Sequence, residues 1–398
     1  MKRALVLSTL YPNAHAPRFG TFVARSMEAV AACGDWDVTL FNPIGIPPIV
    51  FGRYRPLAEA AVDGVEGGVD IHRPTFTLIP RVGVASNARR IAQAVLPLAR
   101  AMHRDRPFDV VDAQFFFPEG PAAAQIADAL GLPFTILGRG SDITYWGTRD
   151  FAREQMLYAA ARADGLMAVS EALRRDMAGL GMDGGKIGIR YTGLDRDRFR
   201  PLGHTGLRTT LAQSLGVDLP RGAPLFATVG SLDANKGQAL VVEALETIRE
   251  ARLLLVGKGP DEDSLRRLAK ERGVAERVHV LGTVDHDLLP VILSAADAMV
   301  LPSAREGLAN AWIEALACGT PLVICDAGGA REIVTTRDAG LIVERRVDAI
   351  ADGMRAILAD PVPAERVAAT VERFSWEATA GTVASHWERL TTRRGVSS

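Results

Sequence analysis

The stretch Pro302 to Val323 reads PSAREGLANAWIEALACGTPLV and places two glutamates, Glu306 and Glu314, eight positions apart. A strand-like run, Asp297 to Leu301 (DAMVL), precedes it, and a second, Pro321 to Cys325 (PLVIC), follows. The spacing predicts a parallel strand, a loop carrying Glu306, a helix carrying Glu314, and the next parallel strand. A helix start at the end of such a strand attracts anions, because its first N–H groups are unpaired and its dipole end is positive.

At 1.5 Å per residue the two carboxylates lie at most about 12 Å apart. That is close to the span from hexose to ribose in a folded sugar nucleotide, with its diphosphate at the helix start. A plainer reading stands beside it. Ser303 and Glu306 fit S-x-x-E, a helix capping box that needs no ligand. Glu314 does not fit that reading. Its helical neighbours Asn310, Ala311, Ala317 and Cys318 are small, while Trp312, Ile313 and Leu316 fall on the other side. A carboxylate over small residues leaves room for a docked group, and burying it with no partner would be costly.

The segment resembles the family 4 glycosyltransferases, retaining enzymes of the GT-B fold. Pro302-Ser303, Glu306-Gly307, Glu314-Ala315, Ala317, Gly319, Pro321, Gly328-Gly329 and Glu332 stand in the register of that family's P-S-x-x-E-G, E-A-x-A-x-G-x-P and G-G-x-x-E elements. The resemblance implies that Glu306 contacts donor-sugar hydroxyls and Glu314 the nucleotide ribose. It also implies that the backbone around Gly307, Leu308, Ala309 and Asn310 holds the diphosphate. Arg139, where many members carry a histidine, resembles the family's exopolysaccharide and teichuronic-acid enzymes.

Length and composition agree. A chain of 398 residues suggests two domains, and 48% hydrophobic with 23% charged residues is a soluble globular composition. A net charge of −1 implies no nucleic-acid partner, although residues 1–107 carry 13 Lys/Arg against 8 Asp/Glu. Cys33, Cys318 and Cys325 form no C-x-x-C pair, which suits a reducing cytoplasm and no structural zinc. The opening ALVLSTL after Lys2-Arg3 is short and interrupted by Ser8 and Thr9, so it reads as a buried strand rather than a signal peptide.

Short apolar runs alternate with helical patterns, the mark of parallel α/β sheets. The first half gives Ala4–Leu7, Asp37–Phe41, Val110–Ala113, Phe134–Leu137, Leu166–Val169 and Ile187–Tyr191. The second gives Leu225–Val229, Arg252–Val256, Val278–Leu281, Ala298–Leu301, Leu322–Cys325 and Leu341–Val343. The expected fold is α/β: two Rossmann-like domains, 1–200 for the acceptor and 201–375 for the nucleotide sugar, with parallel sheets facing across an interdomain cleft. The family fold adds that residues 376–398 form a helix returning to the first domain.

Other loops extend the site. Gly230-Ser231 and Lys236-Gly237 follow a strand, where the family carries G-R-L and K-G and both basic residues bind the diphosphate. Lys236 is kept, whereas Ser231 replaces the arginine and leaves one cation fewer on the leaving group. Gly257-Lys258-Gly259-Pro260 lacks P-loop and dinucleotide spacing. Gly138-Arg139-Gly140-Ser141-Asp142 matches the family's H-G-x-D with Arg139 in place of the histidine near the donor sugar. Asp142 and Arg18 are acceptor-side candidates, and Gly20 lies in the first strand-to-helix loop near the phosphates. Thr192 replaces the asparagine of the family's N-G-V-D turn. Asp35-Trp36-Asp37 mimics a metal-binding D-x-D but precedes a strand, and this fold needs no such metal; no cofactor is expected beyond the donor substrate.

Residues 86–106 predict a helix with Ile91, Val95, Leu98 and Met102 along one stripe and Arg89, Arg90, Arg100, Arg104 and Arg106 around it. It reads as an ordinary domain helix or as an interfacial one on anionic lipid. The apolar loop Ile44 to Tyr54, with Arg53 and Arg55, favours the second, and a lipid-linked acceptor would make docking through residues 44–55 and 86–106 useful. The reading is a retaining hexosyltransferase acting on a saccharide acceptor, cytoplasmic or peripheral on the membrane's inner face. Two alternatives stay open: a sugar-nucleotide epimerase of similar shape, separable by product analysis, and a catalytically silent partner subunit, separable by donor hydrolysis.

Overall fold

The computed structural model describes residues 1–50, 54–79, 83–203, 206–285 and 287–395, without the side chains of residues 393–395. Contacts divide the chain into two compact units, Met1–Gly193 with Trp376–Ser398, and Leu194–Ser375. Residues 194–200, expected with the first domain, therefore belong to the second unit. The chain leaves the first unit at Gly193, where an added Cβ would lie 2.4 Å from the Trp376 ring.

Sixteen strands occur among the described residues, numbered along the chain. They are β1 Lys2–Leu7, β2 Trp36–Phe41, β3 Ile44–Ile46, β4 Gly64–Glu66, β5 Val69–His72, β6 Thr75–Thr77, β7 Val110–Ala113 and β8 Phe134–Gly138. Then come β9 Gly165–Ala168, β10 Ile187–Ile189, β11 Leu225–Val229, β12 Arg252–Val256, β13 Val278–Gly282, β14 Ala298–Leu301, β15 Leu322–Cys325 and β16 Gly340–Val343. The first unit's sheet has the order β10-β9-β8-β7-β1-β2-β5-β4. It is parallel except for the β4–β5 hairpin at its edge. The second unit's sheet, β13-β12-β11-β14-β15-β16, is parallel throughout.

The six strands expected in the second half are all present, because strands covered on both faces must be nearly continuous apolar runs. The expectation of six in the first half falls short. Strands β3 to β6 were missed, and Ile44–Ile46, read as part of an apolar loop, pairs in parallel with Thr75–Thr77. β4, β5 and β6 are short and partly polar, so they carry no apolar run to detect, and β3 is only three residues long. Phe51, Gly52 and Arg53 of the same expected loop lie outside the described residues.

The expected helix at 86–106 runs Asn87–Asp105 and buries Ala88, Ile91, Ala92, Val95 and Ala99. Leu98 is exposed instead of lying in the buried stripe. The inner face uses the small Ala92 and Ala99, which let the helix pack closely. Two of its expected outward cations are committed to protein partners: Arg90 donates to the Thr77 carbonyl at 2.7 Å and Arg106 pairs with Asp37 at 2.7 Å. That ion pair, with Arg3 on the same carboxylate at 3.4 Å, gives Asp37 of the D-x-D-like triplet a structural function.

The last helix, Trp376–Gly395, packs within the first unit against Thr21–Ala32. Trp387 is fully buried, meets Trp36 edge-on at 5.2 Å between ring centroids, and donates its indole N–H to Asp112 at 2.9 Å. Packing of Ala380, Val383, Trp387 and Leu390 joins this helix to the core around β1 and β2.

Candidate active site

In a parallel sheet, loops after neighbouring strands whose connections leave in opposite directions open a crevice at the strands' carboxyl ends. In the second unit that point lies between β11 and β14, which are adjacent although 69 residues separate Val229 from Ala298. The loops after them, Gly230–Gly237 and Pro302–Ala309, are tied directly to each other. Asn235 accepts the Arg305 N–H on its side-chain oxygen at 3.1 Å and donates its amide to the Arg305 carbonyl at 3.0 Å. Its own carbonyl accepts the Ala304 N–H at 2.7 Å. Gly237, at φ 75°, passes where a Cβ would lie 2.6 Å from the Pro302 carbonyl oxygen, so only glycine fits this approach.

The closure brings Lys236 against Glu306, with Nζ 2.5 Å from Oε1 and side chains 19% and 10% exposed. Nothing in the local sequence indicates that these two candidates, 70 positions apart, touch. Ser231, where the family pattern has a cation, donates its hydroxyl to Asp233 at 2.5 Å. Asp233 in turn receives the Asn235 and Lys236 N–H groups at 3.0 and 3.2 Å. A cation that sequence reasoning missed, Arg345, staples both loops by donating to the Pro302 and Ala234 carbonyls, each at 2.9 Å. Lys258 is turned elsewhere, its side chain against Gly282.

The capping-box reading of Ser303 and Glu306 is corrected here. The helix begins only at Asn310, and Ser303 is buried with no partner for its hydroxyl among the described residues. The bonds to Asn235 take the backbone groups that an earlier helix turn would need. Gly328 also passes 2.2 Å from the Glu306 carbonyl oxygen at its would-be Cβ, and Gly329 donates to the Gly307 carbonyl. Glu306, Gly307, Leu308 and Ala309 therefore form an open loop, and Asn310 starts a helix that no side chain caps. Its donor end is oriented toward anions. One turn on, Glu314 has no side-chain hydrogen bond among the described residues, and burial pushes its pKa up to about 7. Trp312, Ile313, Ala315 and Leu316 of the same helix are buried.

The first unit has its corresponding point between β1 and β7. There Glu119, fully buried, accepts the Thr9 N–H at 2.7 Å and the Thr9 hydroxyl at 2.6 Å. Burial pushes its pKa up to about 8, with the Thr9 bonds acting against it. Arg139 follows β8 and donates to the carbonyl and side-chain oxygens of Gln114, each at 2.8 Å, with its guanidinium 4.6 Å from the Phe22 ring centre. Burial and the nearby Arg190 charge lower its pKa to about 9, which leaves it protonated at neutral pH. Arg190 shares the Gln114 oxygen at 3.3 Å and donates to the Ser26 hydroxyl. Asp142 is fully buried, and its carboxylate accepts N–H groups from Phe116, Arg139, Gly140 and Ile143.

Gly20, left-handed at φ 72°, caps the helix Thr21–Ala32 where an added Cβ would sit 2.3 Å from Leu10. Its glycine is required by that contact. Arg18 is exposed on the same loop. Sequence reasoning missed Asp112, Gln114, Glu119 and Arg190. A glutamate in the apolar run FFFPEGPAAA was the available signal, because an ionisable group there must be buried.

Two family profiles match the chain, Glycosyltransferase Family 4 over residues 28–198 and Glycosyl transferases group 1 over residues 216–374. The chain belongs to the group 1, family 4 glycosyltransferases. It is 27% identical over 361 residues to TuaC of Bacillus subtilis, assigned as a teichuronic acid biosynthesis glycosyltransferase, covering 88% of each chain. A sucrose-phosphate synthase from Thermosynechococcus elongatus shares its fold at a TM-score of 0.80 and 23% identity, over 99% of this chain and 100% of that one. Anabaena HepE, solved with UDP, does so at 0.74 and 19%, over 98% and 100%. The fold is GT-B. Family membership decides for the transferase over the epimerase.

Proposed function

We propose that this chain is a retaining, metal-independent hexosyltransferase that moves a hexose from a nucleotide diphosphate sugar to a saccharide hydroxyl. The observation that carries this reading is the Lys236–Glu306 pair beside the uncapped start of the Asn310–Ala317 helix. Lys236 and the N–H groups from Gly307 to Asn310 take the charge that grows on the leaving diphosphate, which lowers the barrier more than it tightens ground-state binding. Glu306 then exchanges its lysine for donor-sugar hydroxyls, and Glu314 accepts the ribose hydroxyls. In a retaining transfer of this class the departing phosphate takes the acceptor proton on the same face, so no enzyme nucleophile is needed. In the first unit, Arg139 is assigned to the donor sugar and Gly20 to the phosphates, with Arg18 and Asp142 on the acceptor side.

The test is the anomeric configuration of the product from an α-linked donor, followed by NMR with a chelator present. A retained α-linkage is expected; an inverted product or a strict metal requirement contradicts the reading. The acceptor is proposed to be lipid-linked and part of a cell-surface or exopolysaccharide glycan, with the enzyme docking on the cytoplasmic leaflet. No helix among the described residues is long and apolar enough to cross a membrane. Support for docking comes from exposed Ile49 and Val50 and from outward Arg89, Arg100 and Arg104. Reversing these three charges should release the protein from anionic vesicles at low salt, each contributing about 1 kcal/mol. Equal recovery on neutral and anionic vesicles contradicts docking.

A further inference from the structure

The first unit holds a pocket of about 440 Å³ that the transfer chemistry above does not use. One wall is Pro12 to Pro17, the loop that follows β1 and continues to Arg18 and Gly20. The other comes from the end of the helix Arg55–Glu59 and from β4. Its volume is within the range of small-ligand sites.

The lining is specific in chemistry. Glu59, Asp63 and Glu66 supply three carboxylates against one cation, Arg73. Arg73 lies at the base, 7% exposed, spanning the pocket: it donates to the Val62 carbonyl at 2.6 Å, the Pro12 carbonyl at 3.1 Å and Glu66 at 3.1 Å. Its Nε is buried without a hydrogen-bond partner among the described residues. The Tyr11 hydroxyl, close enough to feel the Glu66 and Arg73 charges, is orphaned in the same way. Asp63 is engaged by the Arg73 N–H at 2.7 Å and by His72 at 2.9 Å, whereas among the described residues Glu59 has only a long contact to Arg55 at 3.8 Å. Asn13 spends its oxygen on the His15 and Ala16 N–H groups, which leaves its amide N–H₂ to donate. Between these polar groups stand the apolar faces of Pro12, Pro17 and Val62.

Carboxylates that accept, one amide that donates and rigid apolar faces between them fit a sugar, whose hydroxyls donate at the rim and whose C–H faces need dry surfaces. A metal ion fits less well, because the described residues contain no group of three or more ligating side chains placed to hold one. The excess of two negative charges favours an ammonium and opposes a carboxylate or phosphate, and a buried unmet donor calls for an oxygen or a bridging water.

We propose that this pocket is a saccharide subsite for the acceptor, holding a neutral or amine-bearing sugar and rejecting carboxylated or phosphorylated ones. The proposal rests on the transferase reading, because the pocket shares its wall with the loop assigned to the acceptor side. It names the acceptor's chemical class where that reading names only a saccharide.

Ligand-observed NMR and calorimetry on the full chain test it with three probes: lactose, de-N-acetylated chitobiose and a hyaluronan disaccharide. The aminated probe should bind best, lactose next, and the uronate at least about tenfold more weakly than the amine. Glu59→Gln with Glu66→Gln should erase the preference for the amine. Ala14→Trp, at an exposed rim position, should block all three. Nucleoside diphosphate binding, assigned to the second unit, should be unchanged in each variant and reports that the protein remains folded. Failure of the wild type to bind any probe, equal binding of all three, or indifference to Ala14→Trp overturns the subsite and leaves the transferase reading standing. Sugar binding without transfer from any donor leaves the subsite standing and overturns the transferase reading.

Discussion

At the switch point between β11 and β14 the second unit holds Lys236 against Glu306, with both side chains partly open to solvent. At the matching point between β1 and β7 the first unit holds half-buried Thr9 against a fully buried glutamate, Glu119. The topology is the same and the chemistry is opposite. An ion pair that is still partly open to solvent leaves both partners within reach of a ligand that can replace either one's counter-group. A buried carboxyl that fastens one loop to the next strand's helix cannot be exchanged without losing the loop. The second unit's crevice is built for an incoming charge, and the first unit's is built to hold a shape.

The sharpest way to break this contrast is Asp142→Ala. It leaves the N–H groups of Phe116, Arg139 and Gly140 without their buried acceptor, and a loss of about 3–5 kcal/mol in urea unfolding is expected. A loss near zero would mean that the first unit's loop does not depend on its buried carboxylate.

A smaller effect is expected from pH. Glu119 rises from an ordinary 4.5 to about 8 in the folded chain, so folding takes up a proton between those values. Its contribution is full below the unfolded value and is lost as pH rises through about 8. Unfolding measured across this window should show stability falling with pH, and Glu119→Gln should remove on the order of 2 kcal/mol of that fall. An unchanged slope in the variant would show that another group titrates.

Glu314 sharpens the comparison from the other side. Its pKa near 7 means that a carboxylate able to accept ribose hydroxyls is only part-populated at neutral pH. Nucleotide affinity should therefore rise with pH through about 7, and Glu314→Ala should cost about 1.5–3 kcal/mol and abolish the dependence. Calorimetry that finds neither removes Glu314 from the site.

Much of the second unit was legible in the sequence because its strands are covered on both faces and its functional loops have fixed registers. The apolar runs located every strand, and PSAREG with EALACGTP located Glu306 and Glu314. What stayed hidden depended on contacts distant in sequence. Nothing local in the chain says that Asn235 ties down Arg305, yet that tie sets the helix start at Asn310 rather than after Ser303. In the first unit, β4 and β5 escaped notice although Gly67-Gly68, at φ 54° and 82°, is the turn signal of a tight hairpin. Their residues alternate too weakly for a pattern of apolar runs to find. Arg139 was legible as a departure from the family's histidine, but its neighbours were not, because Gln114 and Arg190 come from other strand ends.

In the proposed mechanism Lys236 stabilises charge arising in the reaction rather than the resting protein. The direct measurement is donor-sugar turnover by Lys236→Ala beside its nucleotide affinity and its unfolding midpoint. Turnover should fall by about a hundredfold or more while affinity shifts by only about threefold and the midpoint hardly moves. Turnover that survives the substitution, or falls only in step with affinity, would contradict it.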